Sequence, residues 1–426
     1  MPPRFSVLIP TFNRAELFPY TVNSILNQTF EDFEIILSDN FSSDDTREIA
    51  QQFKDPRFKY VRTPRHFTIA DSCEFVRRQA AGRSMILLSD DDALVNSALE
   101  RFAAETEDCD TNLLFSGVAE YRDITYPGPD RNSASCPPFS GSTTVIAPDD
   151  IVRPLFSLKP KFSMHPSAFI FPKKIADYVE GRTGRFFWTN GVEYSAWPIA
   201  ALLAGRIVRI DLPLAILGRT GKSWGANIVL CNPGKEKIQE LINDVDATRR
   251  FAPLHNFTMV NLITEGMLTA KHLFPNEFAP YEFDEICYLR RTMGELRKRE
   301  AQGVDVSAEI DEALRYSSKY PSIESDFRKT KRPTEKRSLS IRSGVKKLLG
   351  PTIRGRIRAF QLRQRLEKGE AGHGFHASGD AFGFANILEC SRFFNRYVVK
   401  PESERPRDLG SSVRSSVLYN PRSSPE

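Results

Sequence analysis

Three aspartates stand side by side in "LLSDDDALV", residues 87–95, at the end of an apolar run. Carboxylates that close repel one another, so Asp90, Asp91 and Asp92 call for a partner of opposite charge. A hard cation such as Mg2+ or Mn2+ takes oxygen ligands, commonly one or two carboxylates plus substrate phosphates. On an extended exit from a strand, Asp90 and Asp92 point one way and Asp91 the other, toward backbone or solvent, so an Asp-x-Asp pair faces the ligand together. The plainer reading is a cap for the helix at "NSALERFAAE" (96–105), for which one aspartate suffices. Two further polar clusters point to the same chemistry. In "IPTFNRAELF" (9–18) a turn opens a helix, where backbone N–H groups and Arg14 favour a nucleotide or phosphate. That turn contains no glycine, so a G-x-G-x-x-G dinucleotide site is excluded. In "LSDNFSSDDT" (37–46) Ser43 and Asp44 suit a helix cap. Asp39, at a strand end, suits a base or ribose donor.

The elements that must position these residues alternate. Residues 4–9, 33–39, 58–63 and 84–90 read as strands, and 16–28, 43–53 and 70–82 as helices, with Ser43 as the N-cap of the second. Such alternation predicts a parallel sheet covered on both faces, with ligands beyond the carboxyl ends of its strands. The three polar clusters all fall at those ends. Residues 120–150, rich in Pro, Gly and Ser, read as a long loop. Strand returns at 162–174, helix at 190–205, paired strands at 206–219, and helix from about 234 to 318. The last hundred residues lose periodicity apart from one basic amphipathic piece.

Taken together, "SVLIPTFNRAELFPYTVNSILNQTFEDFEIILSDNFSSDDT" (6–46) and "AAGRSMILLSDDDALV" (80–95) closely resemble family 2 glycosyltransferases, over about residues 4–220. The resemblance implies a GT-A fold: a nucleotide-binding α/β domain with a mostly parallel sheet, followed here by a helical C-terminal region. Most members are metal-dependent and transfer a sugar from a nucleoside diphosphate with inversion. By match, Pro10, Thr11, Asn13, Arg14 and Asp39 cradle base and ribose. The D-x-D carboxylates, matching Asp90 and Asp92, hold Mg2+ or Mn2+ and the diphosphate; Asp90 and Asp91 count among the donor-sugar contacts. The chain departs from the pattern in three places. Asn40 replaces a second aspartate. An L-D-x-D-D register would put Ser89 at the first acid and Asp91–Asp92 at the pair, so two registers stand open, with Asp92 common to both. The family's general base matches Glu193, but Tyr194 stands where its neighbouring aspartate is expected; Asp177 and Glu180 are poorer substitutes. Trp188 and Trp197 serve as a sugar platform or as core, with core favoured for Trp197. His66 and His165 lie near the site as packing or capping residues. The stretch 218–229 supplies no late histidine to complete a metal sphere.

Bulk properties bound the rest. A chain of 426 residues, 40% hydrophobic and 27% charged, has the composition of an ordinary soluble protein. Six cysteines without C-x-x-C spacing suit reduced thiols. The N-terminal apolar run is too short for a signal peptide, and no stretch approaches a membrane span, so a cytoplasmic protein is expected. The net charge of +5 is unevenly placed: residues 329–368 hold 14 Lys or Arg against Glu335 and Glu367. Within them, 338–368 places Ile341, Val345, Leu348 and Leu349, then Ile353, Ile357 and Phe360, on one helical face. That pattern suits peripheral contact with an anionic membrane, here the inner membrane face, or with a partner, and equally a solvated, disordered tail. Nothing resembles a nucleic-acid module. The expected organisation is a sugar-transfer domain over 1–225, a helical extension over 226–328, and a basic, partly amphipathic and partly disordered tail over 329–426. The expected partners are a UDP- or GDP-sugar and a saccharide or lipid-linked acceptor. Two alternatives stay open: a nucleotidyltransferase acting on a sugar phosphate, and a non-catalytic membrane-associated scaffold that keeps the nucleotide pocket.

Overall fold

Phe5, Val7 and Ile9 point to one face of a strand and Leu8 to the other, and all four are buried. A strand apolar on both faces belongs inside a covered sheet, and the computed structural model puts it there. The structure describes residues 1–105, 110–128, 130–223, 250–329 and 351–399, the side chains of 328–329 and 351–354 excepted. Strand β1 (Phe5–Thr11) lies between β2 (Phe33–Asp39) and β4 (Ser84–Leu87), with β3 (Phe58–Arg62) outside β2, all parallel. Helices α1 (Phe18–Leu26), α2 (Thr46–Ala50) and α3 (Ile69–Arg77) make the crossovers. The alternation expected over the first ninety residues is therefore present.

Two local expectations are corrected. Strand β4 stops at Leu87 rather than Asp90, because the Asp92 amide donates back to the Ser89 carbonyl at 3.1 Å and closes a turn. Ser43 does not cap α2: its amide donates to Asn13 Oδ1 at 2.8 Å, while Asp44 accepts from the Thr46 amide at 3.2 Å.

Beyond the turn come β5 (Ala93–Leu94), α4 (Ala98–Ala104), β6 (Asn112–Arg122), β7 (Ser133–Cys136), β8 (Thr143–Val145) and α5 (Pro148–Phe156). They are followed by β9 (Phe169–Pro172), α6 (Lys173–Thr183), α7 (Val192–Leu203) and β10 (Arg206–Arg219). The stretch 120–150 is thus not one loop. Its Ser- and Thr-rich pieces pair as β7 on β6 and β8 on β10, and its Pro and Gly sit between them. Strand β9 bridges β4 and β6 with antiparallel pairing on both sides, so β6 runs parallel to β4. Strand β10 runs parallel to β6 in turn, and its register shifts around Pro213, which has no amide to give the ladder. The carboxyl ends of β1, β2, β4, β6 and β10 therefore emerge along one edge.

On one face of the sheet, α7 packs against α8 (Met259–Leu273), and α9 (Glu285–Ala301), α10 (Ser307–Ser317) and α11 (Pro321–Lys329) continue the same core. On the other face lie α1, α4 and a C-terminal unit of α12 (Pro351–Glu367), β11 (Phe375–Ser378), α13 (Gly379–Phe382) and α14 (Ile387–Tyr397). Strand β11 adds to β7, and α14 packs on α1 and β5. Of the expected tail, residues 370–399 thus belong to the fold. Their core is a run of phenylalanines in which Phe393 meets Phe375, Phe382, Phe384 and Phe394. The pieces are joined at Gly374 and Gly383, both at positive φ, which is why no single period shows in the sequence. Ile341, Val345, Leu348, Leu349 and the 225/226 boundary lie outside the described residues.

The crossing of α7 and α8 is tight. A Cβ at Gly266 would lie 2.4 Å from Tyr194 Cβ and 2.7 Å from the Tyr194 carbonyl carbon. Neither atom can swing aside. Gly266→Ala gains about 1 kcal/mol of helix propensity but loses about 1–3 kcal/mol to overpacking. We expect net destabilisation by chemical denaturation; equal or higher stability would mean the two helices do not touch there.

Candidate active site

The five strand ends open onto one cavity of about 680 Å³. From β1 it is lined by Pro10, Thr11, Phe12 and Arg14; from the acidic turn by Asp90 and Asp91; from α7 by Glu193. Six of the residues expected from the sequence are therefore gathered in one place. Three are not on its wall: Asn13, Asp39 and Asp92.

The acidic turn is held from three directions. Asp90 accepts from Arg14 Nη1 at 2.5 Å and from Thr11 Oγ1 at 2.7 Å. Asp91 accepts from Ser223 Oγ at 2.5 Å and faces Arg14 Nη1 at 3.8 Å. Asp92 accepts from the Gly218 amide at 2.8 Å and from Ser167 Oγ. The expected alternation of Asp90 and Asp92 fails because the turn replaces the extended exit: Asp90 and Asp91 line the cavity, while Asp92 is 1% exposed and faces β10. Close approach of β10 requires Gly218, since a Cβ there would lie 1.8 Å from the Asp91 carbonyl oxygen. Burial pushes the carboxyls of Asp90 and Asp92 above the usual range, and the neighbouring Asp91 adds to both. Burial alone would lower the Arg14 pKa, but Asp90 and Asp91 outweigh it and raise it.

Asp39 is wholly buried, and its oxygens accept from the Ser42 amide at 2.7 Å, Tyr60 Oη at 2.7 Å and Arg62 Nη1 at 3.0 Å. Asn13, at φ 52°, ties the first two strand ends together through Ser42 and Ser43. Asn40 does line the cavity, and its amide clamps Phe67 from both sides: Nδ2 donates to the Phe67 carbonyl and Oδ1 accepts the Phe67 amide, each at 2.9 Å. An aspartate could make only one of those bonds, which accounts for the departure at this position. Phe12, 38% exposed, lies 4.5 Å from the His66 ring, the two planes tilted by 49°.

Glu193 is half-buried in the first turn of α7. Burial pushes its carboxyl up to about 7. Tyr194 also lines the cavity, but its hydroxyl points to Met259 of α8, 3.8 Å from the sulfur. Asp177 pairs with Lys173, and Glu180 with Arg77 and Arg78, both away from the cavity. Trp197 is in the core against Phe115 and Phe169. Trp188 lies off the cavity, donating to the Arg185 carbonyl at 3.0 Å. His66 and His165 both line the cavity; burial, with Arg219, holds His165 neutral, its pKa pushed down to about 3.

Among the lining residues not singled out from the sequence are Glu120, near the end of β6, and Arg219, at the end of β10. Arg219 Nη2 donates to Glu120 Oε1 at 2.9 Å. The signal was available, because both follow the rule that picks out residues at strand ends; it needed the knowledge that β6 and β10 are parallel.

A divalent cation finds limited room for protein ligands here. Both oxygens of Asp90 and of Asp92 already accept hydrogen bonds, and Asp91 is the acid that faces the cavity with the fewest donors. Among the described residues no group of three or more His, Cys, Asp or Glu gathers to hold a metal. The residues present fit a cation bound through Asp91 and otherwise by diphosphate and water oxygens, as Mg2+ accepts.

Several known proteins are similar to part of this chain. The chain is 40% identical over 100 residues to GalNAc(5)-diNAcBac-PP-undecaprenol beta-1,3-glucosyltransferase of Campylobacter jejuni, covering 23% of this chain and 32% of that protein. It is 28% identical over 95 residues to UDP-Glc:alpha-D-GlcNAc-diphosphoundecaprenol beta-1,3-glucosyltransferase of Escherichia coli, covering 22% and 38%. The chain thus spans about a third of the length of these relatives. A looser likeness, at TM-score 0.45 and 14% identity over 76% of this chain and 91% of the other, links it to the crystal structure of S. aureus TarS 1-349 in complex with UDP-GlcNAc. At that level it says nothing about the site. The model described as glycosyl transferase family 2 matches residues 6–171, which hold β1 to β9 and the whole acidic turn but end before Glu193 and Arg219. Residues 6–171 of this chain are thus similar to the glycosyl transferase family 2 model.

Proposed function

We propose that the cavity binds a nucleoside-diphosphate sugar and transfers its sugar, with inversion, to a hydroxyl of a saccharide or lipid-linked glycan. The observation that carries the reading is the meeting, on one cavity wall, of Arg14 and Asp91 from the family 2 segment with the raised-pKa carboxyl of Glu193. The relatives' names favour UDP-sugar over GDP-sugar and an acceptor on a lipid diphosphate.

In this reading the base lies toward the Phe12 and His66 rings, and the diphosphate reaches the Arg14–Asp90–Asp91 edge. Arg14 gives the diphosphate a fixed positive charge as the bond from the anomeric carbon to the leaving oxygen breaks. A Mg2+ or Mn2+ held at Asp91 would supply further charge neutralisation when bound. Glu193 takes the proton of the acceptor hydroxyl, whose oxygen forms the new bond on the opposite face of the sugar. A carboxyl with a pKa near 7 suits that work better than an ordinary glutamate. Tyr194, in place of the second acid, hydrogen-bonds the Glu193 carboxyl and lowers its pKa, but burial outweighs that bond and leaves the carboxyl raised. A scaffold without chemistry would need no such carboxyl on the cavity wall.

Three outcomes test the reading. Glu193→Gln lowers transfer by at least about 100-fold while UDP still raises the melting temperature; transfer within a few-fold of wild type would place the base elsewhere. For the wild type, kcat/KM rises about tenfold per pH unit up to about pH 7 and levels above it. The sign follows from the ionised carboxylate being the active form and from burial favouring the neutral one. A flat profile from pH 5 to 8 would contradict the assignment. Asp91→Asn removes the Mn2+-dependent part of the UDP melting shift, whereas Asp92→Asn lowers the melting temperature of the free protein, since Asp92 serves Gly218 and Ser167. The reverse pattern would make Asp92 the metal ligand, and consumption of a sugar 1-phosphate with a nucleoside triphosphate would favour nucleotidyl transfer instead.

A further inference from the structure

The C-terminal unit contains an apolar ridge that the site does not use. In α12, Leu362 and Leu366 share one face and are buried against the body, 8% and 1% exposed. Ile357 and Phe360, three residues apart, share the opposite face and are 42% and 62% exposed. Gln364, four residues past Phe360, continues that face; Arg356, one turn before Phe360, adjoins it, Arg358 lies on the helix flank, and both are exposed. The helix is fixed in this orientation. Arg363 donates to the Ala381 carbonyl at 3.1 Å and lies over the Phe382 ring, and Arg365 Nε stands 3.8 Å from Glu370. The ridge is therefore presented by the folded body and not by a loose chain end. The described part of the helix is itself basic, with Arg356, Arg358, Arg363 and Arg365, and Lys368 just after it, against Glu367. Among the described residues no helix is long and apolar enough to cross a membrane.

We propose that this face of α12 docks the protein on an anionic lipid bilayer, with Ile357 and Phe360 entering the headgroup–acyl boundary and Arg356 and Arg358 meeting lipid phosphates. Charge complementarity selects the bilayer over a second copy of the chain, which would bring the same surplus of arginine face to face. Aromatic and aliphatic side chains flanked by arginine make a helix of the kind that lies in the interface plane. The inference does not depend on the chemistry of the cavity: a protein that transfers no sugar would still dock. It does deepen the proposed function, because an acceptor carried on a lipid would be met at the same surface.

The test is flotation of the full chain with phosphatidylcholine vesicles, with and without a minority of phosphatidylglycerol. Binding is expected only to the anionic vesicles and should weaken as salt is raised. The double variant I357S/F360S keeps every charge and should keep its melting temperature, as both side chains are exposed. It should bind at least about tenfold more weakly, and R356Q/R358Q should lose a similar factor, each charge being worth roughly fivefold. Absence of flotation by the wild type overturns the proposal. So does unchanged binding by I357S/F360S, which would assign the contact to other basic residues. Light scattering that shows a dimer dissociated by I357S/F360S, without vesicle binding, overturns it in favour of self-association.

Discussion

Three adjacent carboxylates kept out of water are the constraint around which the rest is arranged. Burial alone would drive them to the neutral form, and Asp90 and Asp92 are indeed shifted in that direction. What opposes it is a separate set of donors for each acid: Thr11 and Arg14 from the first strand end, Ser223 from the strap after β10, and Gly218 with Ser167 from the far side. The acidic turn thus ties together four parts of the chain that are distant in sequence. Taking away one charged partner of such a group leaves a buried charge uncompensated, typically about 3–5 kcal/mol. Repulsion within the trio is in this sense what makes the junction specific, since only the right neighbours relieve it.

The same constraint explains why backbone geometry matters so much at this edge. Gly218 lets β10 touch the Asp91 carbonyl, so the amide that serves Asp92 arrives without a side chain in the way. Asn13 at positive φ and Asn40 with its two-way amide do the corresponding work at the first and second strand ends. Each holds a loop in place by hydrogen bonds rather than by packing.

Much of this was legible in the sequence, and for identifiable reasons. The strands at 33–39 and 58–62 and the helix at 69–77 follow from hydrophobic period. The gathering of Thr11, Arg14 and Asp90 follows from the rule of strand ends. What was not legible depended on pairing across long separations. A turn at Ser89–Asp92 reverses which acids face the ligand, and no local pattern distinguishes it from an extended exit. Asp39 looked free because Tyr60 and Arg62, which occupy it, lie one strand away. The phenylalanines of 375–394 read as aperiodic because glycines divide them among three short elements.

The site also divides along the chain in a way that bears on how such proteins diverge. Everything that meets the nucleotide and diphosphate in the proposed reading, from Pro10 to Asp91, lies within the family 2 segment at 6–171. Glu193, Tyr194, Arg219 and Met259 lie beyond it, on α7, β10 and α8, and the position of α7 is set by its tight crossing at Gly266. A hydrogen-bonded cradle for a diphosphate tolerates little change, because each lost donor leaves a buried charge. A wall formed by helices packed through side chains tolerates more, since volume-conserving swaps usually cost less than about 1.5 kcal/mol. In the proposed reading the half that receives the acceptor is the half free to vary, and α8 of the helical extension contributes to the cavity through Met259.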